Sequence, residues 1–411
     1  VLGLVLTAFI LPMSTSLSLP EAFEKAKEES YRLRLSAVEI QKKGTQVKRA
    51  RSEIFPELDA FGDWQWQDQS QSSDSSSVNR ARSSQSIGLR ARQSLFRGGE
   101  SWAGLKWARE DAEIQRLLRR EAELELLLQV SEIFYSLLSF NKENQSLQDQ
   151  KNILEKRVNS LRRRAEIGRS QQVDLLAAQS QTAALNADLI ENEFQRELLE
   201  TQLCHLLSCE TIPALRFEDW EAWIPQEFGE LERKISEHYR MEIANRRVEQ
   251  ARAELRAQAA NFLPELDLVG QYYLDRPRPL EDVSWSVQMN LNFNLFSAGR
   301  DWYQRQEAIL TRQMAEIERA EEERLIRQDL KVSYDRWKRF ETRLRALESA
   351  ADLARRNADE QQKQYDLGLV SNLDVLNSLN QQLSSQRLAD RALFDWRQAY
   401  VQMMVAAGRQ P

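Results

Sequence analysis

From Trp285 to Leu295 every second residue is apolar, and Ser286, Gln288, Asn290, Asn292 and Asn294 fill the places between. A period of two puts successive side chains on opposite faces, so this pattern predicts a strand over about 283–296. The same alternation runs through Leu266, Leu268, Gly270 and Tyr272, and predicts a strand over about 265–275. Earlier in the chain, Leu58, Ala60, Gly62, Trp64 and Trp66 predict one over about 57–69, and Ile87, Leu89, Ala91 and Leu95 one over about 84–96. The Ser-rich tract 70–77 and the Pro-containing stretch 276–282 read as the loops joining each pair. The period elsewhere is helical. Long stretches rich in Glu, Arg, Gln, Leu and Ala predict helices over 19–54, 100–167, 171–208, 230–262, 300–367 and 371–408. The longest of these span roughly 68 residues, about 100 Å at 1.5 Å per residue.

This order of elements occurs twice. Phe55-Pro56-Glu57-Leu58-Asp59 returns as Leu263-Pro264-Glu265-Leu266-Asp267, and Ser94-Leu95-Phe96 with Gly99 returns as Asn294-Leu295-Phe296 with Gly299. Gly168 with Val173-Asp174-Leu175-Leu176 returns as Gly368 with Leu373-Asp374-Val375-Leu376. The organisation predicted is a signal-like segment 1–18, a first repeat 19–211, a linker 212–229 and a second repeat 230–411. Narrow seams at heptad spacing, Leu154, Val158, Leu161 and Ala165, with Ala354, Ala358, Gln361 and Tyr365 in the second copy, suit helices packed in a single-layer wall.

The strands carry the functional information. One face is apolar and the other largely uncharged-polar, which fits a transmembrane β-barrel with a wet interior; a half-buried antiparallel sheet fits the alternation too. Aromatic residues beside the loops favour the barrel, because an interfacial girdle would lie there. On that reading Trp64, Trp66, Tyr272, Trp285, Leu291 and Phe293 face lipid, while Arg90, Arg92, Gln288, Asn290, Asn292 and Asn294 line the lumen. Four strands cannot close a barrel in lipid, since open edges leave backbone groups unpaired. Such a chain needs partners, and three copies would supply twelve strands.

Composition narrows the field. The 57 basic and 63 acidic residues are interspersed, which fits a solvated helical surface and excludes a clustered nucleic-acid-binding face. Outside Val1–Leu11 no apolar run approaches the roughly 20 residues that a membrane-spanning helix needs. With only His205 and His238, and no phosphate loop or dinucleotide fingerprint, no enzymatic constellation and no cofactor site is expected. Cys204 and Cys209 flank His205 without a fourth metal ligand in view, leaving a local disulfide or two free thiols as readings.

The ordered series of helix, Pro-led strand pair, Leu-Phe-x-x-Gly, long helix, Gly turn with Asp-x-Leu, and return helix, all repeated, resembles the TolC-like outer-membrane efflux family. The resemblance covers Leu19 to Gly408 and includes the opening Leu17-Ser18-Leu19-Pro20-Glu21-Ala22. It implies a mainly α fold with a small β part: long antiparallel helical hairpins forming an α-barrel, plus four strands per chain completing a trimeric 12-stranded barrel. It further implies a homotrimeric exit duct in the outer membrane, extending into the periplasm. Such a duct serves a tripartite efflux pump or a type I secretion system. Its partners would be a periplasmic adaptor and an inner-membrane transporter of the RND, ABC or MFS type. The helical tips, expected to meet the adaptor, map to Gly168, Arg169, Tyr365, Gly368, Leu369 and Val370. The first tip departs from the family pattern, with Ala165 in place of Tyr and Arg169-Ser170 in place of an apolar pair; Arg162, Arg163 and Arg164 lie nearby. Asp174 and Asp374 are candidates for gate or pore carboxylates, and equally for helix caps. A soluble coiled-coil scaffold and an outer-membrane receptor or adhesin stand as alternatives.

Overall fold

The computed structural model describes residues 16–66, 83–167, 171–217, 227–276 and 282–409. In chain order these form β1 (Ser16–Leu17), α1 (Leu19–Glu29), α2 (Tyr31–Ser52), β2 (Glu57–Trp66), β3 (Ser83–Arg97), α3 (Glu100–Glu166) and α4 (Gln172–Leu207). Then follow β4 (Ala214–Leu215), α5 (Phe228–Arg233), a 3-10 turn (Ile235–Glu237), α6 (Tyr239–Ala260), β5 (Glu265–Asp275), β6 (Trp285–Asn292), α7 (Arg300–Asp366) and α8 (Asn372–Ala406). The matching long helices α3 and α7 are each 67 residues. Among the described residues no helix is long and apolar enough to cross a membrane.

Several expected elements differ in detail. The helix anticipated over 19–54 is two helices, because Ser30 turns the chain at ψ 115°. Its N–H still donates to the Ala26 carbonyl, while its hydroxyl accepts from the Leu33 N–H at 3.3 Å, so one residue ends α1 and caps α2. The helix anticipated over 230–262 is interrupted at the equivalent place: α5 and the 3-10 turn stop at His238, which is extended, before α6 begins. The linker 212–229 includes β4, which pairs in parallel with β1. The last strand ends at Asn292, short of 296, so Phe293 and Asn294 lie beyond it; Asn294 Nδ2 instead donates to Asp301 Oδ2 at 3.0 Å. The outer part of the strand anticipated over 57–69, beyond Trp66, lies outside the described residues, as do the Ser-rich tract and most of the second loop.

The chain divides into two compact units. One comprises Val1–Leu35, Arg120–Tyr239 and Arg324–Pro411, and includes the α3–α4 and α7–α8 hairpins. Its core is a line of side chains, not a globule. Leu147, Leu154, Val158 and Leu161 of α3 meet Leu175, Ala178, Leu185 and Leu189 of α4, with Leu376 of α8. A second cluster joins Ala358 to Val375 and Leu379, flanked by Tyr365 and Val370. Farther along, the aromatic rings of Phe228, Tyr334, Trp337 and Tyr400 touch in sequence, with Trp337 fully buried.

The other unit, Ser36–Arg119 with Arg240–Glu323, holds the main sheet and the helices that lead into it. Val248, Ala251 and Ala315 pack there, and the small residues let the helix axes approach closely. Ion pairs join helix to helix on the flanks: Lys43–Asp111 at 2.8 Å, Arg246–Glu110 at 3.2 Å, and Lys106–Glu249. The Lys106 ammonium holds the Glu249 carboxyl below the usual range. The sheet is antiparallel, in the order β2-β3-β5-β6. Its cross-strand rows keep one parity. Ala60, Leu89, Tyr272 and Trp285 lie side by side, as do Asp59, Arg90, Gln271 and Ser286 in the next row. A bulge between Ser94 and Phe96 sets Phe96 opposite Leu266, where unbroken alternation would put Leu95.

Candidate functional site: the sheet faces and the hairpin ends

Two places in the molecule carry surfaces that the fold itself does not explain. The first is the apolar face of the sheet. Trp66 is 76% exposed, Leu291 71% and Leu58 73%, and Trp64, Tyr272, Trp285, Val287 and Met289 are exposed beside them. That is a continuous apolar surface built on period-two positions, the kind that marks contact with protein or lipid. Phe293 is exposed as well, just after the last strand.

The opposite face is partly furnished. Arg90 lies 4.0 Å from Asp59 and over the Phe61 ring at 4.7 Å, while Phe61 meets Tyr273 edge-on. Arg276 in turn stacks on Tyr273 at 4.1 Å. Arg92, Gln288, Asn290 and Asn292 are exposed on this side and Val269 is buried among them. Neither β2 nor β6 has a strand on its outer side among the described residues, so the sheet ends in two open edges.

The second place is the end of the helical hairpins. Gly368 closes α7 with φ 75°, a left-handed conformation that glycine takes without a Cβ penalty. Its N–H donates to the Tyr365 carbonyl at 2.9 Å, and the Leu369 N–H to the Gln364 carbonyl at 2.9 Å, the paired bonds of a Schellman turn. Leu369 is 72% exposed and Val370 half-buried. Ser371 then caps α8 reciprocally with Asp374. The Asp374 carboxylate accepts from the Ser371 N–H at 2.9 Å and the Ser371 hydroxyl at 2.6 Å, and the Asp374 N–H returns to that hydroxyl. The same hydroxyl and N–H hold the Asp374 carboxyl below its usual range. Gly168 and Arg169 lie outside the described residues.

Sequence reasoning did not find the residue at the centre of this end. Arg157, on α3, donates through Nε to Asn372 Oδ1 at 2.7 Å and through Nη1 to Gln362 Oε1 at 2.8 Å. Its guanidinium stacks over the Tyr365 ring at 4.6 Å, and Arg164 approaches the same ring at 5.7 Å. Asn372 is buried, and its amide donates to the Asp174 backbone carbonyl at 3.4 Å. Burial presses the Arg157 pKa down, against the pull of Tyr365, Asp366 and Asp174. One arginine thus fastens the first hairpin to the second. Asp174 and Asp374 differ in setting: the first is half-buried near this clasp, the second exposed and engaged by Ser371. Arg162 and Arg163 stay exposed.

Cys204 and Cys209 are free thiols, Sγ to Sγ 2.8 Å. Among the described residues no group of three or more His, Cys, Asp or Glu side chains could hold a metal ion.

The chain thus has duplicated helical hairpins and an antiparallel sheet with an exposed apolar face and, among the described residues, two open edges, the features of a membrane-inserted protein of strands. The outer membrane efflux protein family model matches residues 22–208 and 234–409, once for each repeat, and the chain belongs to that family. It is therefore an outer-membrane protein of the efflux type. The fold is shared with VceC from Vibrio cholerae, an outer membrane protein 16% identical, over 95% of this chain and 96% of that one, at a TM-score of 0.81. It is shared also with the CmeC outer membrane channel of Campylobacter jejuni (14% identity, 95% and 85% covered, TM-score 0.79). The MtrE outer membrane channel of Neisseria gonorrhoeae, solved in its open state, matches at 18% identity over 95% and 89%, with a TM-score of 0.77. No curated protein matches the chain.

Proposed function

We propose that three copies of this chain assemble into a passive exit duct, with a twelve-stranded barrel in the outer membrane and a helical tunnel in the periplasm. The observation that carries this reading is the sheet with two open edges and an exposed apolar face. In lipid, unpaired strand edges cost several kcal/mol per group, so β6 of one copy has to pair with β2 of the next until the ring closes. Trp64, Trp66, Tyr272, Trp285 and Leu291 then face lipid, and Arg90, Arg92, Gln288, Asn290 and Asn292 line a wet lumen.

The helical ends form the periplasmic entrance, where Gly168, Arg169, Tyr365, Gly368, Leu369 and Val370 meet an adaptor protein. An inner-membrane transporter of the RND, ABC or MFS type supplies the energy, in a tripartite pump or a type I secretion system. The duct itself binds no cofactor and catalyses no reaction. The Arg157 clasp holds the entrance narrow, and adaptor docking on Leu369 and Val370 releases it.

Chemical crosslinking of outer-membrane fractions, followed by conductance in planar bilayers, tests this. A crosslinked species of three chains and a cation-permeable pore are expected; a monomer with no conductance under any condition would falsify the duct.

A further inference from the structure

The two return helices end at equivalent places in the duplication, but with different chemistry. At the end of α8, the Gly408 N–H donates to the Val405 carbonyl at 2.8 Å and the Arg409 N–H to the Met404 carbonyl at 3.0 Å, with Gly408 at φ 73°. That is a Schellman cap with glycine in its left-handed position. Gly408 is also closely covered: a Cβ there would lie 2.7 Å from His238 Cδ2. At the end of α4, two hundred residues earlier, the Cys209 N–H donates to the Cys204 carbonyl at 3.1 Å, and the left-handed position is Ser208 at φ 49°. A non-glycine residue is strained there, because its Cβ crowds the following carbonyl oxygen. Schellman caps are commonly steadied by a contact between the residues that close the longer bond. In the first copy those residues are Cys204 and Cys209, whose Sγ atoms are 2.8 Å apart.

We propose that Cys204 and Cys209 are a modification site: oxidised to a disulfide after export, they staple the end of α4 around Ser208, where the second repeat relies on glycine. Closing the bond requires the sulfurs to approach from 2.8 Å to about 2.05 Å, a local movement within an already formed turn. Burial and the neighbouring Cys209 thiol push the Cys204 pKa up to about 11. One thiolate of the pair attacks the disulfide of an exchanging donor, forming a mixed disulfide and releasing one donor thiolate. The other thiol then gives up its proton to that leaving group and attacks the sulfur of the first, releasing the second half of the donor. The protein loses two hydrogens and two electrons, and the donor disulfide gains them. An outer-membrane protein passes through a compartment where such donors are maintained.

The test uses detergent-extracted full-length protein and oxidised glutathione as the donor, so it does not depend on channel activity. After incubation, acid quench and denaturing alkylation, the intact chain should take no label and weigh two hydrogens less; after reduction it should take two labels. Two labels without reduction, glutathione adducts retained on the chain, or disulfide-linked dimers would each overturn the proposal. Amide exchange at Ser208 and Cys209 supplies a readout that does not require the bond to be seen. Reduction should speed exchange about fivefold or more in the wild type, the equivalent of the left-handed cost. It should do so much less in Ser208→Gly. Equal acceleration in both would show that the bond does not offset the strain at Ser208.

Discussion

Arg157 shows what a single side chain adds and why it escaped notice in the sequence. It stands in a helix crowded with Arg and Glu, where one more charge reads as solvated surface. The signal was its position beside the seam of Leu154, Val158 and Leu161, with Asn357 instead of arginine at the equivalent place in the second copy. Charged hydrogen bonds contribute roughly 1.5–3 kcal/mol each. If the clasp narrows the entrance, Arg157→Ala should raise single-channel open probability about tenfold, and Tyr365→Ala should do much the same. Tyr365→Phe should do little, because the hydroxyl reaches Arg164 Nη1 only at 3.5 Å. Closed-channel statistics identical to wild type in Arg157→Ala would remove the clasp from gating.

Asp374 separates two roles that the sequence left open. Its carboxylate is engaged in the Ser371 cap, so its folded pKa is lowered below the ordinary 3.8. The cap's contribution is therefore fully present above that ordinary value and disappears as pH falls through the lower folded one. Protection of the amides in the first turn of α8, taken as the intrinsic exchange rate at each pH divided by the observed rate, should be steady from neutral pH down to about 3.8 and fall only below it. Asp374→Asn keeps a capping acceptor and removes the charge. Altered block by multivalent cations in that variant would place the carboxylate in the pore; unchanged block would leave it a cap.

At the scale of elements, the sequence was most legible where the pattern has a strict period. The alternation in β5 and β6 and the breaker-free runs of α3 and α7 appear in the structure as strands and helices of that character. The breaks at Ser30 and His238 were not legible, because neither residue forbids a helix; the turn depends on local capping and packing. Two-residue strands such as β1 and β4 lie below any periodic signal. The strand faces give a prediction of their own. Met289→Arg, on the apolar face midway along β6, should cost about 2–4 kcal/mol as expected near the bilayer midplane, read as a lowered urea midpoint for the folded barrel in lipid vesicles. Asn290→Arg, one residue away on the other face, should leave the midpoint nearly unchanged. Equal losses would mean that both faces meet the same surroundings.

For the whole molecule, the duplication makes the two halves alike without making them equivalent. Within a chain the hairpins are fastened through Arg157 and Tyr365, but the corresponding positions in the opposite order are Asn357 and Ala165. In a ring of three chains, six hairpins would therefore meet at two sorts of seam, fastened within each chain and unfastened between chains. Such an iris would part at three alternate seams, each chain swinging its pair of hairpins as one leaf. Spin labels at Leu369 would then separate between chains on opening, while distances from Arg162 to Leu369 within a chain stay fixed. A sixfold scaffold would in that way yield a threefold aperture.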